Sequence, residues 1–217
     1  MRPSRSSLLV VAAFGCGPAT TVHPSGVPAG CPTEGVITLS GKEDVAAITG
    51  CKTVGGLVIR TGARLQLGPL RRLELVRGDL VVGPTVGLDE VALKELREVT
   101  GTIRVIGNGN VRAVFLPQLR HAGRIEIDSN VAMTTLSMPL LEAVAGSLVI
   151  THDAELELIE LSSLATVGQE LVLADNPKLV LVEAGKLAGA GAIRVEHNAL
   201  LPADQVEVLR ATTTSAR

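Results

Sequence analysis

Residues 119–130 read LRHAGRIEIDSN, and residues 96–108 (LREVTGTIRVIGN), 141–153 (LEAVAGSLVITHD) and 164–176 (LATVGQELVLADN) repeat the arrangement. Each opens on Leu, passes an aliphatic residue and a glycine or its neighbour, alternates through a strand-like triplet and closes on Asn or Asp. Aligning the chain on the triplets gives starts at Leu57, Leu80, Ile103, Ile125, Leu148, Leu171 and Ile193, spaced by 23, 23, 22, 23, 23 and 22 residues. A period of that size marks a stacked repeat. Eight residues after the starts stand Leu65, Leu88, Val111, Met133, Leu156, Leu179 and Leu201, and sixteen after stand Leu73, Leu96, Leu119, Leu141, Leu164 and Leu187. The columns at thirteen and nineteen are equally aliphatic. Inward residues of one coil can therefore stack on the next, about 4.8 Å away. The expected fold is all-β, a right-handed parallel β-solenoid of about seven 22–23-residue coils.

Two further columns are not apolar. Gly55, Gly78, Gly101, Gly123, Gly146 and Gly191 lie two places before the starts, where a coil turns a tight corner. Coil six has Gln169 there and Gly168 one place earlier, which predicts a small bulge. Five places after the starts come Asn108, Asn130, Asp153, Asn176 and Asn198. An amide both donates and accepts, so a column in register can satisfy the turns and its counterparts as a structural ladder. Polar ligands for a metal or sugar are the alternative reading of that column. Val36-Ile37-Thr38-Leu39 is expected to form an incomplete first coil. Residues 201–209, opening on Leu201-Pro202, read as a short capping helix with Val206 and Leu209 on one face, and 210–217 as a frayed tail.

The 217 residues carry 20 Lys+Arg against 22 Asp+Glu, no Trp or Tyr and two Phe. That composition supports an aliphatic core and lacks the basic footprint and stacking platforms of nucleic-acid binders. Arg2 and Arg5 precede the apolar run 8–14, too short to span a bilayer but fitting an export leader over residues 1–15. Ala13-Phe14-Gly15-Cys16 resembles a bacterial lipobox, with Ala13 where Leu is usual; on that reading Cys16 carries lipid, and otherwise an ordinary signal is cut nearby. Residues 16–30, rich in Pro and Gly and without charge, suit a tether. In an exported chain Cys31 and Cys51 are expected to pair as a disulfide; two free thiols are the alternative in an unexported one.

The cysteine-flanked start, Gly55-Gly56-Leu57-Val58-Ile59 and Leu119-x-x-Ala122-Gly123-x-Ile125-x-Ile127-x-x-Asn130 together resemble the receptor L-domain family, over residues 31–209. That family comprises leucine-rich-repeat-like solenoids of receptor ectodomains and bacterial envelope proteins, and the resemblance implies extracellular recognition without catalysis. These 217 residues depart from the receptors' pattern in carrying no recognisable cysteine-rich module, transmembrane helix or kinase sequence, so no signalling role is expected from the resemblance.

Alternation turns Val58, Val81, Arg104, Glu126, Val149, Val172 and Arg194 outward, followed two places on by Asp128 and its column. Arg104, Glu126 and Asp128 are the candidate binding residues, set among valines expected to be exposed. His152, Asp175 and His197 occupy one column in consecutive coils; they could converge on zinc, or the carboxylate could orient a catalytic histidine. No P-loop, nucleophile elbow, HExxH or paired CxxC is present. The expectation is a non-enzymatic, lipid-anchored protein of the bacterial cell envelope, at the outer membrane or cell surface. It needs no cofactor, meets the membrane through its lipid only, and binds a protein or envelope glycan rather than nucleic acid. The alternative is a metal-dependent hydrolase using the His152/Asp175/His197 column.

Overall fold

In the computed structural model, which describes residues 30–211, every triplet becomes a strand that pairs in parallel with its counterpart one coil away. The chain is a β-solenoid of about seven coils closed by a short C-terminal helix. Val36–Leu39 pairs with Gly56–Ile59 and supplies the incomplete first coil. The register follows the sequence columns: Ile125 lies between Ile103 and Leu148, and Glu126 between Arg104 and Val149.

Two parallel sheets result. The long sheet contains the triplets and, beside them, the residues nineteen places after each start, as in Ala143–Val144. The second sheet contains Glu90–Ala92, Ala113–Phe115, Thr135–Ser137, Leu158–Glu160 and Leu181–Glu183. Its central residues form another inward column, eleven places after the starts, which the sequence reading did not single out. Val91, Val114, Leu136 and Ile159 are fully buried. Together the columns make one aliphatic core from Leu39 to Leu209. Each buried Leu, Ile or Val in it contributes about 1.5 to 3 kcal/mol of transfer free energy, without an aromatic anchor.

The corner glycines serve close approach rather than a left-handed backbone, since none of them has positive φ. A Cβ on Gly101 would lie 2.4 Å from Asp79 Oδ1 and 2.7 Å from the Gly78 carbonyl. In coil six the demand has moved to Gly168, where a Cβ would meet the Ala145 carbonyl oxygen at 2.0 Å. The pairing shifts register there, between Val167 and Glu170, as a bulge does. A matching shift between Val99 and Thr102 shows that the two 22-residue spacings arise from corners one residue shorter, before Ile125 and Ile193.

Both ends are covered. At the first, α1 (Lys42–Ala47) buries Val45. Its start is held by the Asp44 carboxylate, which accepts from the Ser40 N–H and hydroxyl at 2.8 Å and from the Gly41 N–H at 3.1 Å. The Ser40 N–H bond is the chief reason the Asp44 carboxyl lies below its ordinary range. Cys31 and Cys51 are joined in a disulfide across this end. At the other end α2 (Ala203–Ala211) buries Leu209 and runs two residues beyond the stretch expected from sequence.

Candidate functional site

Strand alternation places the side chains at positions one before, one after and three after each start on the outer face of the long sheet. In the middle coils this face is charged. Arg104 sits between two carboxylates, its Nε 3.2 Å from Glu126 Oε2 and its Nη1 3.6 Å from Asp79 Oδ2. Asp79 is further anchored by the Thr102 N–H, which donates to Oδ1 at 2.8 Å. On the last coil Arg194 is similarly placed between Glu170, at 3.4 Å, and Glu196, at 3.7 Å. Asp79 and Glu170 were not singled out from sequence. They occupy the position one before the start, which the same alternation turns outward.

The valines on this face are less open than expected. Val58, Val81 and Val149 are half-buried, and Val172 is only 1% exposed. Val172 lies in register between Val149 and Arg194, beside the Glu170–Arg194–Glu196 group, so its neighbours cover it. The candidate contact surface is consequently polar, with recessed aliphatic patches.

Asp128 begins a line of alternating acids and imidazoles. Its Oδ1 accepts from Thr151 Oγ1 at 2.8 Å and lies 2.9 Å from His152 Nδ1, and its Oδ2 accepts from Ser129 Oγ at 2.9 Å. His152 Nε2 lies 3.7 Å from Asp175 Oδ2, and Asp175 Oδ1 lies 3.0 Å from His197 Nδ1. Burial works against ionisation of Asp128, but the bonds from His152, Thr151 and Ser129 outweigh it and hold the carboxyl below its ordinary range. The hydrogen bond to Asp128 raises the His152 imidazole above its ordinary value, against a smaller opposing effect of burial.

The backbone aims these groups. Ser129, His152, Asp175 and His197 have φ of 57°, 55°, 58° and 53°, and Gly107 occupies the same column with φ 67°. The left-handed region costs a residue with a Cβ about 1 to 2 kcal/mol, and Asp and His are among those that tolerate it. His152 and His197 nevertheless project into solvent, with side chains 62% and 75% exposed. Among the described residues no group of three or more His, Cys, Asp or Glu is arranged to hold a metal ion. The two imidazoles are spaced along the face by carboxylates rather than gathered around a point.

Directly behind lies the Asn column. Asn108, Asn130, Asp153 and Asn176 are fully buried, and Asn198 partly so. Asn108 Nδ2 donates to Asn130 Oδ1 at 2.7 Å, and Asn130 Nδ2 to Asp153 Oδ1 at 3.0 Å. The main-chain N–H groups of Asn130, Asp153 and Asn176 donate to the side-chain oxygen one coil ahead, at 2.8, 3.0 and 3.1 Å. Each Asn also donates backward, Asn108 to the Val82 carbonyl, Asn130 to Val105, Asn176 to Ile150 and Asn198 to Leu173. Asp153 cannot do this when ionised, and its Oδ2 has no partner. Burial pushes its carboxyl from 3.8 up to about 7, although Asn130 donates to it twice.

The expected lipid attachment residue, Cys16, the leader, the tether as far as residue 29 and residues 212–217 of the expected frayed tail lie outside the described residues. No described helix is long and apolar enough to cross a membrane. No family model, curated protein or solved structure matches the chain.

Proposed function

We propose that this is a non-enzymatic, lipid-anchored cell-envelope protein of receptor L-domain type. Its solenoid is a binding module that meets a protein or envelope glycan through the outer face of the long sheet, at Arg104, Glu126 and Asp128. The reading rests chiefly on the line Asp128–His152–Asp175–His197. Exposed ion pairs of this kind contribute about 0 to 1 kcal/mol each, no more than the left-handed backbone beneath them costs. Folding stability is thus a weak reason for the array, and strained exposed positions concentrate where a surface has a task. The envelope address is supported by the leader-like residues 1–15, by Cys16 and by the Cys31–Cys51 disulfide, which persists in oxidising compartments.

The test is capture from solubilised native envelope with the parent and with the Glu126→Lys/Asp128→Lys protein, each checked for unchanged far-UV circular dichroism. The parent is expected to retain a specific partner that the double variant loses, because like charge across an interface costs more than on a solvated face. Equal recovery by both proteins contradicts the assignment of this face.

A further inference from the structure

The second sheet has two edges, and the fold treats them differently. The last strand, Leu181–Glu183, is covered by α2: the Val182 N–H donates to Gln205 Oε1 at 3.0 Å, and Gln205 Nε2 donates to the Val180 carbonyl at 3.5 Å. One side chain there stands in for a neighbouring strand. The first strand, Glu90–Ala92, pairs with Ala113–Phe115 alone. Coil one offers it no strand, because the corresponding residues, Leu67-Gly68-Pro69, enter the 3-10 turn Gly68–Leu70. Pro69 has no N–H with which to extend a ladder.

Parallel pairing fixes which groups this leaves open. The Leu93 N–H donates to the Phe115 carbonyl, and the Arg112 N–H to that of Asp89, so residues 89, 91 and 93 turn their main-chain groups toward coil three. Glu90 and Ala92 turn theirs the other way. They face a groove of about 460 Å³ whose opposite wall is coil one from Arg64 to Gly68, with Arg71 and Lys94 at its margin. Arg64 is engaged by Asp89 at 2.6 Å. Arg71 and Lys94 are exposed and form no ion pair among the described residues, leaving two cations beside one free carboxylate, that of Glu90.

We propose that this edge and groove form a docking site for an extended acidic peptide segment of another protein, which adds a strand beside Glu90–Ala92. Main-chain pairing with Glu90 and Ala92 supplies the register, and Arg71 and Lys94 select negative charge. The chain's own ends do not match: residues 1–29 and 212–217 contain no Asp or Glu. A second copy docked edge to edge would bring surplus positive charge against itself. The site lies on the second sheet, and its test is independent of the long-sheet face.

The probe is a fluorescein-labelled, capped octapeptide of alternating Glu and Thr, added to the disulfide-intact protein at low salt. Saturable binding is expected, at least about tenfold tighter than that of the Lys–Thr counterpart, together with slowed hydrogen exchange at the Glu90 and Ala92 amides. Arg71→Glu/Lys94→Glu should weaken binding about tenfold or more, since both side chains are exposed and the fold does not depend on them. Ala92→Pro removes one edge N–H without touching a bond to coil three and should also weaken it. Absence of saturable binding, equal binding of the Lys peptide, unchanged exchange at residues 90 and 92, or indifference to the charge reversal each overturns the proposal. Concentration-dependent dimerisation that protects the same amides without peptide overturns it in favour of a second copy.

Discussion

Replacing Asp153 with Asn should stabilise the solenoid, and by an amount that grows with pH. Asp153 is the one acid in a column of amides, fully buried, with Oδ2 unpartnered where its neighbours carry a donating Nδ2. By analogy with Asn130, which donates to the Val105 carbonyl, and Asn108, which donates to Asn130 Oδ1, the column supplies acceptors rather than donors at Oδ2, so an ionised carboxylate there is unfavourable and a protonated one can donate. The charged and titratable groups around it are Asp128, which raises its carboxyl further, and His152, which lowers it. The folded value of about 7 lies above the ordinary 3.8, so this group's contribution is fully present below 3.8 and is lost as pH rises through 7. That difference corresponds to about 4 kcal/mol in full, and the part lost between pH 5 and pH 8 to about 2 to 3 kcal/mol. Urea unfolding of the parent and of Asp153→Asn at both pH values measures this directly. The difference between the two proteins should widen by about 2 to 3 kcal/mol at pH 8, while contributions from all other titrating groups largely cancel. Parallel pH profiles would refute the reasoning, because they would mean that Asp153 is ionised in the fold without penalty.

Asn130→Ala removes donors from the Val105 carbonyl and Asp153 and an acceptor from Asn108. It should lower stability by about 3 kcal/mol in urea unfolding. The same substitution at exposed Asn110, whose amide meets the Val86 carbonyl, should cost less. NMR titration of His152 should give a midpoint above 6.5 that falls toward it in Asp128→Asn, since the bond to Asp128 raises it. Reducing the Cys31–Cys51 disulfide should cost about 3 kcal/mol, read as a lower urea midpoint with the repeat coils still able to fold. Cys16→Ser should move the protein from the membrane fraction to the soluble exported fraction; equal membrane retention would remove the lipid anchor from the account.

The period made most of this architecture legible. Columns at eight, thirteen, sixteen and nineteen residues after the starts contain core residues such as Leu88, Leu93, Leu96 and Val99, each 1% exposed or less. The Val91–Val114–Leu136–Ile159 column escaped because it forms in a three-residue strand, too short for alternation to stand out against an aliphatic background. α1 escaped for a different reason: at six residues it has no amphipathic period, and its signal is the local Ser40-Gly41-Lys42-Glu43-Asp44 cap. The candidate face was readable as alternation, which puts Arg104 and Glu126 in register. Its pairing was not, because Asp79 and Glu170 reach Arg104 and Arg194 from the position before the start. Nor could spacing separate a zinc cluster from a spread row at His152, Asp175 and His197; that is decided by where the left-handed turns aim them.

The recognition claim is met most directly by a photocrosslinking residue placed at Val149, between Glu126 and Val172 on the long sheet, and separately at exposed Glu157 beside the second sheet, with irradiation in intact envelopes. A discrete crosslinked product from the Val149 position and none from the Glu157 position is expected. A product from the Glu157 position alone would contradict the account.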